Sequence, residues 1–371
     1  MTTHTKHRPP TTLTTLTTRT GERVATSEET EHALGLVIAW SFDEPHRIGE
    51  VALVPAERTL VLGRGEPGDG ADALAFVRQR PGLTEATAPL TSPRISRQQL
   101  RVRATGDALA VSNIGRCRLT VRGEEIAETE VRPGDVLELG SELVLLCVVR
   151  SLALAPLSNA YPAFPFGRAD SYGLVGESPE AWRLREVLAF VARRSGHVLV
   201  RGASGTGKEL VARALHALSS RASRPLVARN AATFPEGLID AELFGTAKNY
   251  PNAGMEARAG LIGEADGSTL LLDEFAELPA AQQTHVLRVL DAGEYTRLGE
   301  ARMRTSDFRL VAATNREESA LKHDVLARLT FRIQVPDLNA RREDVPLLAV
   351  HLLRRIAKKD PEAVARFFAG S

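Results

Sequence analysis

Two hydrophobic rhythms divide the chain. Between residues 34 and 150, short apolar runs fall at 36–40, 51–54, 59–62, 100–103, 108–112, 119–121, 136–139 and 143–149. Turn residues separate them, among them Thr105-Gly106-Asp107, Arg122-Gly123 and Pro133-Gly134-Asp135. Strands so short and so regularly punctuated predict an all-β sandwich. The stretch 63–93, rich in Gly, Pro and charge, predicts a long loop at one end. From residue 172 the rhythm changes. Ser178-Pro179 offers an N-cap followed by proline at the first helical position, and Trp182, Leu184, Val187, Leu188 and Val191 then recur at helical spacing. Strand-like runs at 197–200, 226–229, 269–272 and 309–312 alternate with helical segments, which predicts an α/β domain with a parallel sheet covered by helices. Pro156, Pro162 and Pro165 mark 151–172 as a linker, docked in part through Tyr161, Phe164 and Phe166. Residues 1–33 form a Thr-rich tail with too few apolar side chains to offset ordering entropy, and disorder is expected there.

Composition narrows the function classes. The chain has 371 residues, which at ~150 per domain gives two or three domains. Its 47 basic and 46 acidic residues leave a net charge of +1, which excludes nucleic-acid or membrane binding by bulk charge alone. Two cysteines, Cys117 and Cys147, exclude a disulfide framework and a cysteine zinc site. The apolar runs fall far short of the ~20 residues of a membrane span. The N-terminus has no secretory apolar core, so a soluble, cytoplasmic protein is expected.

The sharpest chemical signal is Gly202-Ala203-Ser204-Gly205-Thr206-Gly207-Lys208. It follows an apolar strand and opens an amphipathic helix carrying Leu210, Val211, Ala214, Leu215 and Leu218, the context of a phosphate-binding P-loop. Glycines let backbone N–H groups turn toward phosphates, the helix N-terminus adds positive potential, and Lys208 reaches the β- and γ-phosphates of ATP. Glu209 stands where Ser or Thr usually meets magnesium. Downstream, Leu270-Leu271-Leu272-Asp273-Glu274 is a buried-type strand ending in two carboxylates. Asp273 can hold Mg2+, and Glu274 can polarise the attacking water. Thr314 and Asn315 offer polar side chains at the C-terminal edge of the next strand, where ligands of open α/β sheets bind.

From about residue 173 to 359 these residues resemble the AAA+ ATPase of sigma-54-dependent transcriptional activators (bacterial enhancer-binding proteins). The strings that carry the resemblance are Leu174-Val175-Gly176-Glu177-Ser178, Lys208-Glu209, Asp240-Ala241-Glu242-Leu243-Phe244-Gly245, Gly267-Ser268 leading into Asp273-Glu274, and Arg341-Arg342-Glu343-Asp344-Val345. The resemblance accounts for Glu209, since an acid is common there. It implies that Asn230 restrains the catalytic Glu274, that Thr314 and Asn315 sense the γ-phosphate, and that Arg328 acts as a finger on ATP in a neighbouring subunit of a ring. Three departures stand out. The family loop that grips sigma-54 reads Gly-Ala-Phe-Thr-Gly-Ala, whereas 249–254 here places Pro251 at the aromatic, Asn249 and Ala253 at the glycines, and Tyr250 one place early. That puts contact with sigma-54 polymerase in question. A second finger-like arginine is Lys322, which keeps the charge and loses the planar fork. The helical lid and a helix-turn-helix would follow Ser371 in the family pattern, so a largely absent lid, no direct DNA-binding domain, weak nucleotide affinity and slow turnover are expected.

Residues 34–150 resemble a forkhead-associated (FHA) domain, a sandwich that reads phosphothreonine at one end. Gly63-Arg64, Ser96-Arg97 and the turn at Pro133-Gly134-Asp135 carry that resemblance. It implies Arg64 and Ser96 as phosphate contacts and Arg97 as a peptide contact. Gln99 replaces the family's structural histidine, and the Asn-Gly-Thr tip is not recognisable near 115–119. Expected partners are a phosphothreonine protein or the chain's own tail, and further copies of the chain. Two functions remain open: a signal-responsive ATPase regulator, and a non-catalytic phosphopeptide-binding scaffold or dominant-negative regulator that neither contacts sigma-54 nor binds DNA.

Overall fold

The structure is a computed structural model and describes residues 31–56, 58–65, 72–362 and 365. The Thr-rich segment 1–30 lies outside the described residues, and the tail expected to run to residue 33 stops short of that, because His32 and Ala33 already pair with Ser151 and Arg150 of the sandwich. The chain divides into two compact units. One holds the sandwich through Glu186 together with residues from Arg341 onward, and the other is Val187–Ala340.

In the first unit, alternating apolar positions build two antiparallel sheets. The strands are β1 (His32–Ser41), β2 (Val51–Val54), β3 (Thr59–Leu62), β4 (Val77–Arg80), β5 (Leu83–Ala86), β6 (Leu100–Thr105), β7 (Ala108–Asn113), β8 (Leu119–Val121), β9 (Glu124–Glu125), β10 (Glu128–Val131), β11 (Val136–Leu139) and β12 (Leu143–Ser151). The larger sheet runs β5-β4-β2-β1-β12-β11-β8-β9 and the smaller β10-β7-β6-β3. Leu36, Ile38, Leu62, Leu100, Val102, Leu109, Val111, Leu137, Leu145 and Cys147 fill the space between them. The expected loop at 63–93 is corrected here, since it contains the β4–β5 hairpin, paired Val77 with Ala86 through Arg80 with Leu83. Its sequence hid this because all four β5 residues are exposed and β4 carries two arginines.

The helix expected after Ser178 is α1 (Pro179–Ala192), whose first half belongs to the first unit and second half to the other. Ser178 Oγ accepts the Ala181 N–H at 3.1 Å, as an N-cap should.

The second unit carries β13 (Val198–Arg201), α2 (Lys208–Ala217), β14 (Val227–Asn230), α3 (Ile239–Phe244), α4 (Gly260–Glu264), β15 (Thr269–Asp273), α5 (Ala280–Ala292), the short hairpin β16 (Glu294–Tyr295) and β17 (Arg304–Thr305), β18 (Arg309–Thr314), α6 (His323–Arg328) and β19 (Phe331–Gln334). Its five long strands form an all-parallel sheet in the order β14-β15-β18-β13-β19. β13 and β15 are buried apolar runs and β18 is buried at every position, which suits a sheet covered on both faces. After Ala340 the chain continues in the first unit as α7 (Val345–Lys359). Among the described residues, no helix is long and apolar enough to cross a membrane.

Candidate nucleotide site and phosphate-reading loops

Strand register places the predicted nucleotide residues at one edge of the parallel sheet. Arg201 at the end of β13 pairs with Thr314 at the end of β18, and Asn230 pairs with Asp273 across β14 and β15. The crevice outside these C-terminal strand ends is where open α/β sheets bind ligands.

The loop from Gly202 to Gly207 leaves β13 there and enters α2. Gly205 and Gly207 take positive φ (+78° and +94°), and a Cβ on Gly205 would meet nothing within 4 Å. A Cβ on Gly202 would sit 2.8 Å from Thr206 Oγ1, so that position admits only glycine without a shift. Thr206 Oγ1 donates to Ala203 C=O at 2.9 Å and closes the loop on itself. Lys208 is 7% exposed, and its Nζ donates to the carbonyls of Gly202 (3.1 Å) and Ala203 (3.3 Å). Ser204 lies exposed in the loop, and Glu209 points away, accepting two hydrogen bonds from Arg213 one helical turn on.

Asp273 and Glu274 follow directly from β15. Glu274 is a non-glycine residue at φ +48°, ψ +42°, a left-handed conformation that costs about 1–2 kcal/mol. Its N–H donates to Asp273 Oδ1 at 2.9 Å, while its own Oε2 is buried without a hydrogen-bond partner. A buried, unmatched acceptor beside a second carboxylate is costly unless something occupies it. Asn230 Oδ1 accepts from Ala232 N–H at 2.9 Å, capping the turn after β14. Thr314 is fully buried and its hydroxyl accepts from Arg316 N–H at 3.1 Å, while Asn315 is exposed. Arg328, last residue of α6, is held side-on by Asp291 of α5 through Nε and Nη2. That grip leaves both Nη1 hydrogens and one on Nη2 for another partner. Asp291 also raises the Arg328 pKa above its ordinary value. Lys322 instead donates to Thr284 Oγ1 at 2.6 Å.

Among the described residues no cluster of three or more His, Cys, Asp or Glu could hold a metal ion alone. Mg2+ takes one or two carboxylates plus phosphates and water, so Asp273 could hold it only together with bound phosphates. The open loop at Gly205, the buried Lys208 and the orphaned Glu274 oxygen fit a nucleoside triphosphate with Mg2+ at Asp273.

In the sandwich, Arg64, Ser96 and Arg97 come together at one end. A Cβ on Gly63 would sit 2.0 Å from Arg97 C=O, so the two loops touch backbone to backbone. Arg64 N–H donates to Ser96 C=O at 2.9 Å, and Arg64 Nε is buried without a partner. Ser96 Oγ accepts Arg116 N–H at 2.9 Å, leaving its own hydrogen to donate. Arg97 is exposed and lines a cleft of ≈ 400 Å³ with Gly63, Gly65, Phe76 and Leu90. Sequence reasoning registered Gln99 only as a substitution. It is fully buried and joins the loops, accepting from Ser96 N–H (3.1 Å) and Cys117 N–H (3.3 Å) and donating to Asn113 Oδ1 and Cys117 C=O (both 2.8 Å).

A P-loop leaving β13 of a five-stranded parallel sheet, with two carboxylates at the end of β15 on the far side of β18, defines a P-loop NTPase domain of AAA+ type. Residues 174–339 match the family described as "Sigma-54 interaction domain", so this segment is similar to the AAA+ module of sigma-54 activators. The transcriptional regulatory protein ZraR of Escherichia coli K12 is 41% identical over 222 residues, 58% of this chain and 50% of that protein. The chain thus spans about half the length of the curated relatives it matches. Among solved structures, NtrX from Brucella abortus in complex with ADP is 38% identical with a TM-score of 0.48, covering 52% of this chain and 44% of that one. The Rv0020c FHA structure is 17% identical with a TM-score of 0.24, covering 33% of this chain and 99% of that one.

Proposed function

We propose that this chain is an ATP-hydrolysing transcriptional regulator of the sigma-54-activator type, acting in the cytoplasm, whose sandwich is an FHA-like phosphothreonine reader. The observation that carries the ATPase is the buried, unpartnered Glu274 Oε2 beside Asp273, at the sheet edge where Lys208 opens α2. Lys208 binds the β- and γ-phosphates and the loop N–H groups orient them. Mg2+, when bound, neutralises charge on the phosphates. Glu274 accepts a proton from the attacking water, and Asn230 restrains the Glu274 carboxylate between turnovers. Thr314 and Asn315 report the γ-phosphate. Arg328 reaches a neighbouring copy's nucleotide, which couples turnover to self-association. The functional division in this reading is a tail that ends before β1 begins at His32, a sensor from there to residue 150, a linker at 151–172 and an ATPase at 173–371.

The deciding experiment is steady-state ATP hydrolysis against protein concentration. Turnover per chain is expected to rise with concentration and to vanish in Glu274→Gln, which still binds nucleotide. Arg328→Ala is expected to lose about a thousandfold in turnover, the scale of a finger arginine. Wild-type activity equal to that of Glu274→Gln would instead establish the scaffold reading, which the replaced loop at 249–254 favours.

The phosphothreonine reading rests on the unmatched Arg64 Nε and the free Ser96 hydroxyl hydrogen at the same sandwich end. Phosphothreonine peptides, those from the chain's own tail included, are expected to bind. Arg64→Ala should weaken them by on the order of 10- to 100-fold, the loss of a charge-assisted contact of about 1.5–3 kcal/mol. Binding unchanged by Arg64→Ala in a calorimetric titration would reject it.

A further inference from the structure

Two arginines of the sandwich engage carboxylates that lie beyond its strands, within the same compact unit. Arg80, at the end of β4, donates from Nε and Nη2 to the two carboxylate oxygens of Glu177 (3.0 and 2.5 Å) and from Nη1 to Phe164 C=O (2.7 Å). The rings of Phe164 and Trp182, stacked 5.4 Å apart, lie 4.5 and 5.3 Å from the same guanidinium. Trp182 Nε1–H and Gly167 N–H complete the shell around the buried Glu177 carboxylate (3.2 and 2.9 Å).

Arg150, in β12, is buried. It donates to Glu343 Oε2 from Nε (2.9 Å) and Nη2 (2.6 Å), and to Gln79 Oε1 (3.2 Å). Burial pushes the Glu343 carboxyl above its ordinary pKa, and the Arg150 charge opposes that rise. The adjacent Asp344 accepts Glu177 N–H (2.8 Å), Ser178 N–H (2.9 Å) and Ser178 O–H (2.6 Å). Ser178 is the N-cap of α1. Ile48 of the sandwich adds apolar contact, buried with Val175 and Leu347.

A reader on a flexible tether needs none of these contacts, since linkers between independent domains carry few. The carboxylates belong to the two strings at 174–178 and 341–345 that flank the nucleotide sheet in sequence. We propose that Arg80 and Arg150 are positioning residues of the ATPase. Through Glu177, Glu343 and Asp344 they fix the start of α1, the helix that runs on to Ala192 in the unit bearing the P-loop. The sandwich is then a built-in part of the ATPase as well as a reader. The effect on turnover rests on the ATPase reading, whereas the effect on local order does not.

The test uses the full chain with Arg80→Lys and Arg150→Lys, which keep the charge and lose the planar fork. Hydrogen exchange, Trp182 emission in a Trp40→Phe background and ATP turnover are measured together. Exchange across 174–186 is expected to rise about tenfold while β6 and β7 stay protected. Trp182 emission should shift, and kcat should fall about fivefold with KM for ATP little changed, as misplacement rather than lost binding predicts. Unchanged exchange at 174–186 overturns the proposal. So does loss of protection spread evenly through the sandwich strands, which would make both arginines supports of the whole fold. So does raised exchange with unaltered turnover in an active enzyme. A wild type without Glu274-dependent turnover would reject the ATPase reading separately, and the exchange and emission results would still decide whether the arginines hold α1.

Discussion

Replacing Lys208 with methionine is expected to remove nucleotide binding while leaving the nucleotide-free protein at least as stable as before. Lys208 is 7% exposed, and its ammonium is held by two carbonyls of its own loop and, among the described residues, by no carboxylate. Taking a charge out of water costs several kcal/mol unless it is well compensated, so a flexible apolar side chain of similar length relieves a burden in the absence of phosphate. With a triphosphate present the balance reverses. Two charge-assisted contacts at about 1.5–3 kcal/mol each are lost, a fall in affinity on the order of 100-fold or more. Thermal melts with and without ATP separate the two effects. A ligand at about 100 times its dissociation constant stabilises the wild type by ~2.7 kcal/mol, and that increment should vanish in Lys208→Met. A variant that melts early without ATP, or that keeps the full increment with it, would remove Lys208 from the phosphate site.

The candidate nucleotide residues are legible as strings because each set is contiguous. Gly202 to Lys208 and Asp273-Glu274 are single strings, and the strand before each is a run of buried apolar residues that any reading of periodicity finds. The missed strands lie at or beside sheet edges. β5, β10 and β19 are edge strands and β4 lies next to one, and their Leu-Thr-Glu-Ala, Glu-Thr-Glu-Val, Phe-Arg-Ile-Gln and Val-Arg-Gln-Arg sequences carry polar or charged residues. An edge needs such residues to resist pairing with other chains, so the property that protects it also masks it. The second class of miss is long-range. Nothing near Arg328 in sequence points to Asp291, and nothing near Arg150 points to Glu343, 193 residues on. Such pairs follow only from the packed fold. The resemblance at Glu177 and Glu343-Asp344 located the strings, and the structure supplied what they hold.

Gln99→Leu is expected to melt the end of the sandwich that carries Arg64 and Ser96. The side-chain amide makes four hydrogen bonds at zero exposure, to both the loop carrying Ser96 and the loop from Asn113 to Cys117. Leucine matches the volume and offers no polar atom, so the Ser96 and Cys117 N–H groups lose their acceptor. Each orphaned buried group costs about 1–3 kcal/mol, and the sum approaches the upper range seen for single substitutions, ~4–5 kcal/mol. Histidine, the residue that the FHA resemblance implies here, offers one donor and one acceptor in its neutral form and so replaces about half of these bonds. Gln99→His should therefore fall between the wild type and Gln99→Leu. Gly115 leaves no room for a wider repair, since a Cβ there would already lie 2.4 Å from Gln99 Oε1. Urea unfolding followed by hydrogen exchange resolves the sandwich from the nucleotide unit, which a single global transition would not. The expected order is wild type, then His, then Leu, with protection lost first at 96–99 and 113–117. Phosphopeptide affinity should fall in the same order, because Ser96 is placed through this amide. Equal stability of all three forms would mean that water satisfies the loops when the amide is gone, and that Gln99 fills space without wiring the site.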